Sequence, residues 1–363
     1  MDEYYMKIAL ELAKKGDGKV SPNPLVGAVI VKDGKIIGQG YHGKYGNNHA
    51  EVEAFNNING NSKEATIYVT LEPCSHYGKT PPCVDRIISE GISRVVIGMI
   101  DPNPLVSGRS VEKLTKAGVE VEIGVLEEEC KKLNEVFIKY ILEKKPFVLM
   151  KWAMSLDGKI STVSGESKWI TGEKARKDVH KLRKRLTGIM VGINTVLTDD
   201  PLLTCRLEDG KNPIRIIVDS NLRIPIESNI AKTAIEIKTI VATLIDVSEE
   251  KVKALEKLGI KILKIKEKNK KVDLEALILE LGNMEIDSIL LEGGSTLNFS
   301  ALESGIVDKV RVYISPKIIG GKKAKTPIGG KGIDSLKEAF NIKHMDLSVI
   351  GEDILMEGYV NEV

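Results

Sequence analysis

Four side chains from two stretches of this chain limit what it can fold into. His49 and Glu51 stand in His49-Ala50-Glu51, and two thiols stand in Glu72-Pro73-Cys74-Ser75-His76-Tyr77-Gly78-Lys79-Thr80-Pro81-Pro82-Cys83, with eight residues between them. One imidazole and two thiols make a three-ligand set for zinc. Three protein ligands leave the fourth tetrahedral position open, which separates a catalytic site from a structural one. Zinc lowers the pKa of water in that position from about 15.7 to about 7. Glu51, a carboxylate two residues after the imidazole, is then placed to move protons. Hydrolytic deamination of an amino-pyrimidine needs those parts. Any fold that uses them must bring positions 49, 51, 74 and 83 to one point. A structural site would need a fourth protein ligand, and His76 is the one at hand.

The surrounding pattern is α/β. Residues 2–15 read as a helix, with Asp2 near its cap and Met6, Leu10 and Ala13 at helical spacing. Leu25–Val31 and Lys35–Tyr41 read as a hairpin around the turn Asp33-Gly34. A helix is expected near His49, a strand over Thr66–Leu71 that delivers Cys74, and a helix near Cys83 whose positive end favours the thiolate. Strands over Arg94–Met99 and Glu120–Val125 and helices near 109–117 and 126–141 complete the layer pattern.

Length and charge add bounds. The chain has 363 residues, which suits two domains. Its 53 Lys plus Arg against 51 Asp plus Glu leave a net charge of +2, which argues against a nucleic-acid partner. The start, Met1-Asp2-Glu3-Tyr4, is unlike a signal peptide, and no apolar run suits a membrane span. Four cysteines do not make a disulfide framework. Cys130 and Cys205 read as spectators, and a reducing cytoplasm fits.

Glu143-Lys144-Lys145-Pro146 reads as the linker between domains 1–145 and 146–363. Beyond it, the strand Phe147–Met154 opens a second alternation. Strands are expected at 188–192, 214–219, 239–244, 260–265, 287–291 and 308–314, and helices at 173–186, 248–258, 273–282 and 295–304. The Lys-rich run Lys264–Lys271 reads as a solvated loop. Glu292-Gly293-Gly294-Ser295-Thr296-Leu297-Asn298 follows a strand and opens a helix. Glycine allows close approach, and helix-start N–H groups bind phosphate. A structural turn explains the residues equally well, and this is not a G-x-G-x-x-G fingerprint. His180 and His344 read as solvent-facing.

The long spacing between Cys74 and Cys83 resembles the bifunctional deaminase/reductase family of riboflavin biosynthesis. So do Lys151-Trp152-Ala153-Met154-Ser155-Leu156-Asp157-Gly158-Lys159, Trp169-Ile170-Thr171, Val191-Gly192-Ile193-Asn194-Thr195-Val196, Asp199-Asp200-Pro201 and Glu292-Gly293-Gly294. The resemblance covers nearly the whole chain. It implies two α/β/α domains, the first cytidine-deaminase-like and zinc-dependent, the second dihydrofolate-reductase-like and NADPH-dependent. In the first domain it implies His49, Cys74 and Cys83 as zinc ligands and Glu51 as proton shuttle. Asn23, His42, His76, Lys79 and Asn103 would meet the substrate.

In the second domain the same resemblance implies Ala153, Trp169, Thr195, Asp199 and Ser220 at the NADPH site. Gly294, Ser295, Thr296, Leu297, Asn298, Phe299 and Ser300 would meet the cofactor phosphates. Ser167, Arg183, Leu203, Arg206 and Glu292 would contact the ribosyl-phosphate substrate, with Lys151 as a donor to the sugar. Plainer readings stand beside these: Trp169 as core packing, Arg183 and Arg206 as surface charges, Asp199 as the cap of a turn before Pro201. The expected substrate is a small phosphorylated ribosylaminopyrimidine. The expected assembly is a homo-oligomer in the cytoplasm, with no nucleic-acid or membrane partner. One rival is a nucleoside or nucleic-acid deaminase with an unrelated C-terminal domain. Another is a non-catalytic module that holds zinc structurally and senses a nucleotide.

Overall fold

A computed structural model describes residues 1–77, 81–104, 106–208 and 210–361. Its contacts divide the chain into Met1–Glu143 and Lys144–Val363.

The first unit is built on strands β1 (Gly27–Lys32), β2 (Lys35–Tyr41), β3 (Thr66–Leu71), β4 (Arg94–Met99) and β5 (Glu120–Ile123). Their order is β2-β1-β3-β4-β5, antiparallel up to β3 and parallel from there. Alternate residues serve opposite faces, as strand geometry requires. Ala28, Ile30, Ile67, Val69, Val95 and Ile97 pack against helices Ala50–Asn56, Cys83–Ser89 and Arg109–Lys116. Val29, Val31, Tyr68 and Val96 pack against helix Asp2–Ala13 and the helices after β5.

Two local features set up the site. A Cβ on Gly40 would lie 2.3 Å from the carbonyl oxygen of Ala50, so only glycine lets helix Ala50–Asn56 press onto β2. The helix expected over 126–141 is instead two, Glu127–Leu133 and Glu135–Glu143, divided at Asn134. The Asn134 side chain is buried, accepts from Leu25 N–H at 2.8 Å and donates to Leu25 O at 3.0 Å. An asparagine that satisfies a distant backbone in this way gains more than it would by continuing the helix. It anchors the segment that carries Asn23.

The second unit holds β6 (Phe147–Ser155), β7 (Gly188–Gly192), β8 (Ile214–Val218), β9 (Thr239–Leu244), β10 (Ile260–Ile265), a short ribbon β11 (Glu267–Lys268) and β12 (Lys271–Val272), β13 (Ser288–Leu291), β14 (Lys309–Ser315), β15 (Lys343–Ile350) and β16 (Asp353–Tyr359). Nine strands form one sheet in the order β10-β9-β8-β7-β13-β6-β14-β16-β15. Neighbours from β10 to β14 are parallel, and β16 is antiparallel to both β14 and β15. Parallel strands need both faces covered. Helices Leu274–Asn283 and Ser295–Glu303 cover one, and Ile193–Asp199, Asn229–Lys232 and Glu249–Lys257 the other.

The sequence reading missed helices Ile193–Asp199 and Asn229–Lys232, the ribbon β11–β12, and the C-terminal strands β15 and β16. Among the described residues no helix is long and apolar enough to cross a membrane.

Candidate active sites

In the first unit the two sequence stretches converge. His49 precedes the first residue of helix Ala50–Asn56, Cys74 lies just beyond β3, and Cys83 opens helix Cys83–Ser89. His49 Nδ1 is 3.5 Å from Cys74 Sγ and 3.4 Å from Cys83 Sγ. Donor atoms around a tetrahedral zinc with Zn–S near 2.3 Å and Zn–N near 2.0 Å stand about 3.6 Å apart. The trio therefore fits zinc in both donor chemistry and spacing. No fourth His, Cys, Asp or Glu joins it among the described residues, and His76 is exposed. That removes the structural-site reading on His76.

The electrostatics agree. Cys83 N–H, at the helix start, donates to Cys74 Sγ at 3.2 Å. Hydrogen bonds from Cys83 and from His49 bring the Cys74 thiol down to about 4, and that neighbour together with burial pushes the Cys83 thiol up. Its contact with Cys74 raises the His49 imidazole. Glu51 is buried in the first turn of the His49 helix beside Cys83, and burial pushes its carboxyl up to about 7.

The remaining first-unit residues have unequal fates. Asn23 Nδ2 lies 3.1 Å from His42 Nε2, and His42 Nδ1 lies 3.0 Å from the Asn48 carbonyl. The carbonyl can only accept, so His42 carries its proton on Nδ1 and accepts from Asn23 on Nε2. This frees the Asn23 carbonyl oxygen for a ligand. His42 is buried, its ring is edge-on to His49 at 5.8 Å, and burial lowers its pKa. Both its ring nitrogens are therefore engaged within the protein, one of them on Asn23, which it orients. Lys79 lies outside the described residues. Asn103 sits in the loop after β4. That loop is held by Glu72, which the sequence reading did not use: its buried carboxylate accepts from the N–H groups of Asp101, Gly108 and Ser110 and from Ser110 Oγ. The signal was present in Glu72-Pro73-Cys74, where a charged residue stands two positions before a ligand.

The second unit has a cavity of about 690 Å³ at the C-terminal ends of its parallel strands, where open α/β sheets bind ligands. Of the residues expected there, Thr195, Asp199, Ser220, Gly294, Ser295, Thr296, Leu297 and Ser300 line it, together with Ser167 and Glu292. Gly294 precedes helix Ser295–Glu303 and no side chain caps that helix start, so its first N–H groups remain available to an anion. Four cationic residues, Arg223, Lys270, Lys271 and Lys325, also line the cavity. A polyanionic dinucleotide fits this lining.

Other residues expected at this site lie off the cavity lining. Asn298 and Phe299 are on the helix but buried, Asn298 donating to Pro327 O at 3.0 Å. Helical periodicity turns these two inward while Thr296, Leu297 and Ser300 share the cavity face, and Ser295 meets the cavity as the first residue of the helix. Leu203 is in the core. Ala153 packs beside Val179 and Tyr313. Trp169 is 55% exposed, stacks on Arg176 at 4.7 Å, and is neither core nor cavity lining. Asp199 lines the cavity, while the neighbouring Asp200 accepts from Asn229 N–H at 2.8 Å, at the start of helix Asn229–Lys232.

Beside Glu292 lies a charge cluster. Arg183 donates to both Glu292 oxygens at 2.8 and 3.1 Å and to Thr204 O at 3.0 Å, and Lys151 Nζ is 3.2 Å from Glu292 Oε2. Arg183 is thus no solvated surface charge: three of its five N–H groups go to Glu292 and Thr204 O. Burial pushes the Glu292 carboxyl up, but Arg183 and Lys151 more than offset this and hold it well below the usual range. His180 is not simply solvent-facing. Its two nitrogens lie 3.2 Å from Arg206 N and 3.1 Å from Arg206 Nε. A neutral imidazole has one acceptor nitrogen, so one of these contacts is the hydrogen bond. Burial, then Arg183 and Arg206, bring His180 down to about 4.

Comparison with known proteins fits both sites. The family model "Cytidine and deoxycytidylate deaminase zinc-binding region" matches residues 1–99, and "RibD C-terminal domain" matches residues 146–356. The riboflavin biosynthesis protein RibD of Actinobacillus pleuropneumoniae is 53% identical over 97% of this chain and 94% of its own length. The chain belongs to the RibD family. RibD of Aquifex aeolicus is 46% identical over 98% of both chains. Among solved structures, RibD of Acinetobacter baumannii (form 1) superposes with TM-score 0.87 at 36% identity, covering 99% of both chains. The diaminohydroxyphosphoribosylaminopyrimidine deaminase/5-amino-6-(5-phosphoribosylamino)uracil reductase of Thermotoga maritima gives 0.86 at 40% identity, covering 99% of this chain and 98% of its own. As a member of this family, the chain is a bifunctional deaminase and reductase of riboflavin biosynthesis that uses zinc and NADPH and acts on small molecules.

Proposed function

We propose that residues 1–145 deaminate 2,5-diamino-6-ribosylamino-4(3H)-pyrimidinone 5′-phosphate and that residues 146–363 then reduce its ribosyl group, giving 5-amino-6-(5-phosphoribitylamino)uracil. The observation that carries the first step is Glu51 buried against a His49–Cys74–Cys83 trio that has no fourth protein ligand among the described residues. Zinc held by that trio supplies a Lewis acid and water activated for attack. Glu51 takes the proton from the attacking water and delivers it to the departing ammonia. Asn23, oriented by His42, presents its carbonyl oxygen to the amino-pyrimidine.

In the second domain NADPH supplies the hydride. The uncapped helix start at Ser295 receives its phosphates, and Thr195, Asp199 and Ser220 line its bed. Ser167 and Glu292 mark the substrate end. The Lys151 ammonium, anchored by Glu292, is the donor to charge developing on the sugar. The two N–H groups that Arg183 has left and the Arg206 guanidinium are the forks for the substrate phosphate.

Ammonia release from cytidine, a tRNA and the ribosylaminopyrimidine phosphate separates this reading from the rival deaminases. The expected result is release from the last substrate alone, and release from cytidine or tRNA at a comparable rate contradicts it. The same reading places the chain in the cytoplasm as a symmetric homo-oligomer without nucleic-acid or membrane partners. The net charge of +2 supports the lack of a nucleic-acid partner.

A further inference from the structure

The lysine-rich segment after β10 divides in two. Lys264, Lys266 and Lys268 pair with Glu249, Asp273 and Glu275. Lys270 and Lys271 line the cavity and pair with no carboxylate among the described residues. The segment is therefore not one solvated loop. The ribbon β11–β12 fixes its tip: Glu267 faces Val272 and Lys268 faces Lys271. Val272 N–H donates to Ser220 Oγ at 3.1 Å and ties the ribbon to the C-terminal end of β8.

The turn between the two strands is unusual in sequence. Asn269 and Lys270 have φ of 54° and 59°, the left-handed pair of a two-residue hairpin turn, where Asn-Gly is preferred. Lysine at the second position carries a Cβ that this backbone disfavours. An outlier of this kind at a ligand cavity motivates a functional reading.

Sheet order locates the two cations. Helix Ser295–Glu303 follows β13, and β7 and then β8 lie beside β13. The ribbon thus sits about two strand spacings, roughly 10 Å, from the helix start. The substrate end, at Glu292 and β6, lies on the opposite side. A dinucleotide with its pyrophosphate at the helix start and its reactive ring toward Glu292 extends its adenosine half over β7 and β8. On that side Ser220, Asn221, Arg223, Lys270 and Lys271 line the cavity, and Asp199, at the end of the helix that follows β7, is the carboxylate beside them.

We propose that Lys270 and Lys271 bind the phosphate on the 2′ position of the cofactor's adenosine ribose, and so make this site choose NADPH over NADH. The inference rests on the reductase reading above. The test uses the full chain and calorimetric titration with NADP⁺, NAD⁺, 2′,5′-ADP and 5′-AMP, on wild type and on the double variant Lys270→Gly, Lys271→Ala. Glycine suits the turn, so the variant's melting temperature should not fall. Wild type should prefer each 2′-phosphorylated ligand. The variant should lose about 10-fold or more in affinity for NADP⁺ and 2′,5′-ADP, as expected for one lost charge-assisted contact, with NAD⁺ and 5′-AMP unchanged. A variant that keeps the wild-type NADP⁺ to NAD⁺ ratio overturns the assignment of these lysines, as does a wild type that does not discriminate. Wild-type binding of neither dinucleotide overturns the reductase reading and this inference with it.

Discussion

Replacing Glu51 with glutamine is expected to lower ammonia release by at least about 100-fold, the lower end of what a positioned proton-transfer group contributes, while zinc content stays at wild-type stoichiometry. The two readouts separate because Glu51 is beside the metal ligands but not one of them. Its side chain is buried in the first turn of the helix that His49 precedes. Glutamine keeps that shape and cannot carry a proton back and forth. Reduction of substrate already deaminated should be unchanged, since the NADPH cavity belongs to the other unit. A variant that holds zinc and deaminates at the wild-type rate removes Glu51 from the mechanism.

The second large effect is expected at Glu292. Its carboxylate is the shared counter-charge of Arg183 and Lys151, with side-chain exposures of 13% for Glu292, 15% for Arg183 and 13% for Lys151. Glu292→Gln leaves two cations together without their partner. Removing one member of a buried ion pair costs about 3–5 kcal/mol, which for a unit of this size lowers the melting temperature by roughly 10 °C. NADPH oxidation should fall with it, and ammonia release should not. The pH dependence follows from the same cluster. The folded carboxyl is held below its ordinary value of 4.5. The stabilisation is therefore complete above that value and is lost as the pH falls below it, toward the depressed folded value. Thermal melts of the wild type and of Glu292→Gln between pH 3 and 7 check this; the variant should lack the part of the acid-side slope that Glu292 contributes. Equal melting temperatures for the two proteins at pH 7 would contradict the account.

What could be read from the sequence, and what could not, follows from where the information sits. The zinc trio was legible because ligand chemistry is carried by residue type and short spacing. Strand ends and helix starts then deliver such residues without a long-range calculation. Buried parallel strands such as β7 and β8 were legible as apolar runs. β15 was not, because it is an edge strand whose residues are largely exposed, so no apolar periodicity marks it. Asn134 divides a helix for the sake of Leu25, a partner over a hundred positions away, which no local pattern reveals. The motif was carried over as one stretch from Gly294 to Ser300, and a stretch without its helical phase does not show that the Asn298 and Phe299 side chains are buried. Arg183 and Glu292 were each assigned to substrate. Their mutual contact depends on tertiary placement alone. Lys270 and Lys271 looked like any solvated lysines until the ribbon fixed them at the cavity.

The central claim is that two chemically independent sites act in sequence on one small molecule. The most direct measurement follows ammonia and NADPH together on the purified chain, before and after chelation of the metal. With the diamino substrate, ammonia should appear first and NADPH should be consumed in equal amount. Chelation should stop both, yet leave NADPH consumption intact when the deaminated substrate is supplied. Undiminished ammonia release from fully chelated protein would contradict the account, as would NADPH consumption with the diamino substrate when no ammonia is formed.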